Sequence, residues 1–195
     1  MNRYRFEPNY EPAAEFSGLA SSEELSEEVG VYAASVPFVV ANCGPLAQRF
    51  ISAVPDWYVE LAEGSGLVAN CDIRLHSLLE GQYPASPGWH CDAAIRETRF
   101  SSDSGGHRVD HNLIGCISSS PGGVSNTEFL DSVFEIETDA VYGNGAELWG
   151  EVDRELNSQP TKVGDTRDGV LYGFDPWTLH RVAPARVAGF RLFSV

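Results

Sequence analysis

The chain has 195 residues, a formal net charge of −15 and 43% hydrophobic residues, which suits one domain with a sizeable core and excludes a disordered polymer. A surface this acidic repels phosphate backbones and anionic lipid, so neither nucleic acid nor membrane is an expected partner. No apolar run approaches the roughly 18–20 residues that span a bilayer, and MNRYRFEPNYEPAAEF lacks the apolar stretch of a signal peptide.

Residues 1–66 read as an N-terminal helical, capping region. Glu23, Glu24, Glu27 and Glu28 follow Ser21 and Ser22 in a short helix-like stretch, and VYAASVPFVV is an apolar, partly β-branched segment. Pro45 suits the first turn of a helix carrying Leu46, Phe50 and Ile51 on one face, and Pro55 stops that helix before WYVELAEG. From residue 67 to 195 the pattern turns to β. LVANCDIRLHSLL, WHCDAAI, HNLIGCIS, EFLDSVFEIE, GVLYGF, TLHRV and GFRLFSV have strand propensity, and YPASPG, SSDSGG, SSPGG, YGNG and APARVAG punctuate them. AELWGEVDRELNSQP interrupts them as a helix that Pro160 ends. A mainly β fold is predicted: a single jelly-roll domain over 1–195, with N-terminal helices and one inserted helix.

Cys43, Cys71, Cys91 and Cys116 are scattered without a CxxC pair. This argues against a disulfide framework or zinc ribbon, and a reducing, cytoplasmic setting is expected. Of the 13 basic residues only Lys162 is lysine. A GC-rich genome produces that bias, and so does a high-salt cytoplasm, in which salt screens crowded carboxylates.

The segment PGWHCDAA carries the sharpest chemistry. Pro87 and Gly88 disfavour a helix running into His90, so the segment is predicted to be extended. Side chains alternate along a strand, which sets His90 and Asp92 on one face and Cys91 on the other, where it packs. An imidazole and a carboxylate on one face are two members of a facial triad for non-haem iron. The later segment GVLYGFDPWTLHRVAPARVAGFRLFSV adds a third, His180. If Leu179–Val182 and Phe190–Val195 pair as a hairpin, Arg191 stands beside His180 as a bidentate clamp for a carboxylate.

His-x-Asp, a distal His, and an Arg about ten residues on resemble the Fe(II)/2-oxoglutarate-dependent dioxygenase superfamily. The likeness covers roughly residues 72–195. It implies a double-stranded β-helix of the cupin-like kind, with iron held by His90, Asp92 and His180. It also implies that Arg191 grips the distal carboxylate of 2-oxoglutarate, and that decarboxylation to succinate drives hydroxylation of a small-molecule or peptide substrate. Asp92 supplies a carboxylate where halide-transferring relatives have a small residue, so hydroxylation is the expected outcome. Many members place Ser or Thr two residues after the Arg; here that residue is Phe193. A second anchor must come from elsewhere, with Tyr172, Asn112 and Arg74 as candidates. Two other readings stand beside this one: a catalytically silent jelly-roll structural or binding protein of a larger assembly, and a cupin-like metalloenzyme that does not use 2-oxoglutarate.

Trp89 and Trp177 flank the presumed ligands and either line a substrate pocket or fill the barrel mouth. His107 and His111, with Asp103 and Asp110, read as a solvated loop rather than a second metal site. His76 reads as an ordinary satisfied histidine. No Gly-Lys-Ser/Thr phosphate loop and no Gly-x-Ser-x-Gly elbow is present.

Overall fold

The computed structural model describes residues 1–65, 70–92, 112–140 and 145–194. Its strands are β1 (Asn2–Phe6), β2 (Tyr10–Glu15), β3 (Val31–Ser35), β4 (Asn70–Leu78), β5 (Asn112–Ser118), β6 (Thr127–Leu130), β7 (Phe134–Thr138), β8 (Val163–Asp165), β9 (Val170–Phe174), β10 (His180–Val182) and β11 (Gly189–Ser194). The helices are α1 (Ser22–Ser26), α2 (Val36–Asn42), α3 (Pro45–Ala53), α4 (Asp56–Ser65) and α5 (Gly145–Asn157).

Local chemistry accounts for the helices. Ser21 and Glu24 form a reciprocal capping box at the start of α1. Pro45 opens α3, whose Leu46, Ala47 and Phe50 are buried while Ile51 is half-buried. In α5, Leu148, Val152 and Leu156 recur every four residues and bury one stripe. The buried Glu28 acts as a remote cap for α3, its carboxylate accepting from the backbone N–H of Gly44 at 2.6 Å, Leu46 at 2.8 Å and Ala47 at 3.1 Å. A Cβ at Gly44 would push that carboxylate from its place against the three N–H groups.

The strands form a six-stranded sheet in the order β2-β9-β5-β11-β4-β3, a three-stranded sheet β10-β6-β8 and the pair β1-β7. Every one of these pairings is antiparallel. A further antiparallel bridge, His90 to His180, extends the three-stranded sheet beyond β10.

Side-chain alternation divides the core into layers. On the outer face of the large sheet, Cys71, Ile73, Ile117, Leu171 and Leu192 lie beneath Leu25, Val39, Leu46 and Phe50 of the helices. On the inner face, Ile114, Tyr172 and Phe174 meet Phe129 of the small sheet, with Tyr10 and Phe193 at the margin. The far face of the small sheet places Trp89, Cys91, Leu130 and Leu179 against α5 and against Tyr4, Phe6, Phe134 and Ile136 of β1 and β7. Full burial of each large apolar side chain contributes about 1.5–3 kcal/mol, which makes these contacts the main cohesive force.

Two expectations are corrected here. Residues 1–66 are not only a helical cap: β1 pairs with β7, β2 with β9 and β3 with β4. Nor do β10 and β11 form a hairpin, because β10 pairs with β6 while β11 lies between β4 and β5. Arg191, Leu192 and Ser194 are buried although they point to both faces, and a strand buried on both faces belongs in the middle of a sheet. The connection between them is bound elsewhere, Ala183 N–H donating to Asn126 O and Ala185 N–H to Gln82 O.

Candidate metal centre

His90 and His180 face each other across their bridge, each backbone N–H donating to the other's carbonyl, at 3.0 and 2.9 Å. Directly opposed residues project to the same side, and the two imidazole centroids are 4.6 Å apart. Asp92, two residues on, joins them: His180 Nε2 stands 3.5 Å from Asp92 Oδ1. One ligand atom from each of the three residues lies within 4.8 Å of the other two. Facial ligands about 2.1 Å from a common ion stand about 3 Å apart, so small side-chain rotations complete a coordination set.

The surroundings set the ring orientations. Nδ1 of His90 lies 3.0 Å from Gly88 O, and Nδ1 of His180 lies 3.0 Å from Thr178 O. A carbonyl only accepts, so each Nδ1 is the donor there, which leaves Nε2 as the ring atom that can turn to a metal. Asn112 Nδ2 donates to Asp92 Oδ2 at 3.1 Å, which leaves Oδ1 facing the histidines. Burial, together with the neighbouring His180, holds the His90 pKa below the usual imidazole value, keeping it neutral for coordination. Burial pushes the Asp92 carboxyl up, but the hydrogen bond and charge of His180 and the charge of His90 outweigh it, and the net shift is downward. Phe129 and Phe174 pack on His180 with centroids at 5.8 and 5.3 Å, an apolar wall behind the site.

The N-terminal strands reach this centre, which the sequence reading did not anticipate. Tyr10 stacks on Phe129 at 4.5 Å. Asn9 holds the turn before His180 from two sides, donating to Asp175 Oδ2 at 2.7 Å and accepting the Thr178 hydroxyl at 3.0 Å. The Asp175-Pro176-Trp177-Thr178 stretch marks that turn, but nothing local in the sequence names Asn9 as its partner.

Arg191 lies on the same inner face, opposite His76 on one side and Ser118 on the other. It is 1% exposed, donates to Cys116 Sγ at 3.1 Å and stacks over Phe193 at 4.7 Å. Among the described residues it has no ion-pair partner, and its Nε is unpaired. Cys116 and the triad's Asn112 share one face of β5, four residues or roughly 13 Å of strand apart. The expected hairpin does not set Arg191 beside His180; what links Arg191 to the site is the shared inner face of β5.

The other sequence candidates separate. Asn112 joins the triad through Asp92, and Tyr172 lines the inner face with its hydroxyl accepting from Arg167 N–H at 3.2 Å. Arg74 does not enter the site; it is exposed, pairs with Asp72 at 2.7 Å and lies over Tyr32 at 5.4 Å. Trp89 turns away from the ligands. Trp89 shares the face of Cys91 and is buried in the α5 core with Arg181 over its ring at 4.6 Å, and Trp177 packs against the same core. His76 was expected to be satisfied, but among the described residues its buried Nδ1 has no hydrogen-bond partner. Asp103, His107, Asp110 and His111 lie outside the described residues. No helix among the described residues is long and apolar enough to cross a membrane. No protein-family model, curated protein or solved structure matches the chain.

Proposed function

We propose that the chain is a non-haem Fe(II) oxygenase that couples conversion of 2-oxoglutarate to succinate with hydroxylation of a small-molecule or peptide substrate. The observation that carries this reading is the His90–Asp92–His180 set, in which backbone carbonyls fix both imidazoles with Nε2 directed inward. Two imidazole nitrogens and one carboxylate form the donor set of a facial triad with open positions. The fold is read as a double-stranded β-helix. Its support is the order in which the chain alternates between layers: β4 large, His90 small, β5 large, β6 and β8 small, β9 large, β10 small and β11 large.

Iron held by His90, Asp92 and His180 would supply a redox-active Lewis acid for keto-acid and oxygen chemistry. The protein's residues position the partners. Asn112 keeps Asp92 turned inward, Phe129 and Phe174 shield His180 from water, and Arg191 supplies the cation for the distal carboxylate. A buried guanidinium without an ion-pair partner is costly, and an anionic ligand offsets that cost. One observation favours a metalloprotein that does not use 2-oxoglutarate: the Asp168 carboxyl lies within electrostatic reach of Arg191 and offsets part of its charge.

Mixing anaerobic protein, Fe(II) and 2-oxoglutarate distinguishes the two. The oxygenase reading expects a weak visible charge-transfer band, then succinate once oxygen is admitted. Iron uptake with neither band nor succinate establishes the second reading.

A further inference from the structure

The helix α5 touches the metal centre from behind. Asp153, half-buried on that helix, accepts a hydrogen bond through Oδ1 from the backbone N–H of Trp89 at 3.2 Å. The C=O of the same peptide group is Gly88 O, which lies 3.0 Å from His90 Nδ1. In a trans peptide the N–H and C=O point in opposite directions from one rigid plane. A single peptide group therefore stands between the Asp153 carboxylate and the His90 imidazole. Gly88 makes this orientation possible: its φ is +124°, a region that L side chains rarely adopt. Beside the peptide, the Trp89 indole is 2% exposed and packs in one cluster with Leu148, Val152 and Leu156 of α5. Arg181, the residue after His180, covers the indole ring at 4.6 Å and is itself held by Glu128 at 2.6 Å.

Among the described residues Asp153 pairs with no cation, although Arg154 is next to it in the chain; that guanidinium turns to Glu151 at 3.1 Å. A carboxylate that accepts from a peptide N–H polarises the peptide and strengthens its carbonyl as an acceptor, since hydrogen bonds in a chain reinforce one another. A firmer acceptor at Nδ1 holds the ring in place and makes Nε2 the better donor to a metal, as outer-shell partners of ligating histidines do. We propose that Asp153 is a positioning residue for His90, acting through the Gly88–Trp89 peptide as the outer partner of that metal ligand. This gives α5 a role beyond packing: it holds one ligand of the site from the opposite side of the small sheet. The inference rests on the reading of His90, Asp92 and His180 as a metal centre, and not on which co-substrate that centre takes. A side chain that merely satisfied a stray N–H would add stability and nothing else, so the two roles separate by experiment.

The test uses the full-length protein and Co(II), a stand-in for Fe(II) whose visible ligand-field bands report the geometry of its ligands. Asp153→Ala is expected to weaken Co(II) binding by roughly ten-fold, the lower end of what loss of an outer-shell partner costs, and to alter the bands. Asp153→Asn keeps an acceptor oxygen and should recover most of the affinity. Leu46→Ala, in the core under α3, should lower the melting temperature and leave Co(II) affinity unchanged. A second measurement needs no metal: the nitrogen chemical shift of His90 Nδ1, read by NMR through the carbon-bound ring protons. In Asp153→Ala it should move toward that of a free N–H, while that of His180 Nδ1 stays. The proposal is overturned if Asp153→Ala binds Co(II) as wild type does, if Leu46→Ala loses as much affinity as Asp153→Ala, or if the His90 shift does not move. A wild type that takes up no Co(II) defeats the triad reading itself, and the link from Asp153 to His90 is then still decided by the nitrogen shift.

Discussion

His90 and His180 are tied backbone to backbone by a reciprocal pair of hydrogen bonds, at 3.0 and 2.9 Å, so the spacing of their imidazoles is set by main chain and not by side-chain packing. Their Nδ1 atoms are tied as well, to Gly88 O and Thr178 O. Main chain therefore sets both the position and the orientation of the two rings.

Replacing His90, Asp92 or His180 by Ala should each lower Fe(II) affinity by more than ~100-fold, since even outer-shell partners of metal ligands are worth 10–100-fold. His90→Ala and Asp92→Ala should keep the fold, whereas His180, buried against Phe129 and Phe174, also leaves a cavity when truncated, so thermal melting accompanies each measurement. Equilibrium dialysis checks this, and three variants each retaining one iron per chain would refute the triad.

Arg191→Ala should weaken 2-oxoglutarate binding by about 2–4 kcal/mol, as loss of a charge-assisted bidentate contact does, while iron affinity stays nearly intact. Arg191→Lys should recover only part, because an ammonium lacks the planar fork. Anaerobic titration of the charge-transfer band separates the two variants. Equal affinity in both would show that the fork is not used.

Glu28→Ala should destabilise the fold by about 2–4 kcal/mol, since it leaves the N–H groups of Gly44, Leu46 and Ala47 without their acceptor. Glu28→Gln keeps one acceptor oxygen and should cost less. Urea unfolding measures both, and an alanine variant within 0.5 kcal/mol of wild type (about the scatter of a surface change) would dismiss the capping role.

Molar KCl should raise the melting temperature, because the net charge is −15 and screening relieves carboxylate repulsion. The same salt weakens the exposed pairs of Glu135 with Arg3 and Arg5, but such pairs are worth about 0–1 kcal/mol each. A melting temperature flat or falling with salt would leave codon bias as the cause of the composition.

His76 gives the fold a pH dependence. Its folded pKa is about 4 against an ordinary 6.5, so below pH 6.5 the unfolded chain takes up a proton that the folded one does not. Stability is fully present above that pH and declines as pH falls toward 4, by at most about 3.5 kcal/mol at 1.4 kcal/mol per pH unit, less where solvent reaches the ring. Stability curves of wild type and His76→Gln should converge as pH falls from 6.5 to 4. Parallel curves would mean that His76 titrates normally.

Period-two alternation made His90 and Asp92 legible as one face and Cys91 as the other, and Pro45 and Pro55 bracketed α3. The same alternation applied to Trp89 puts it with Cys91, in the α5 core, so the choice between pocket wall and interior packing was readable there. What the sequence did not carry is partner choice. Strand propensity in TLHRV and GFRLFSV is local, whereas the pairing of β11 with β4 and β5 depends on surfaces over 70 residues away. Asn9 and Tyr10 were hidden for the same reason. A short, half-polar edge strand looks like an arm until its neighbour β9 is known.

The central place of β11 bears on how the protein is made. While the ribosome is still extending the chain toward residue 189, β4 and β5 lack the strand that lies between them, and two sheet edges rich in apolar residues stand open. Folding of the large sheet is therefore a late, nearly all-or-none event dominated by contacts distant in sequence, a topology that folds slowly and exposes the nascent chain to aggregation. Chaperone dependence during expression, and loss of soluble product on deletion of Gly189–Ser194, follow from where that one strand sits.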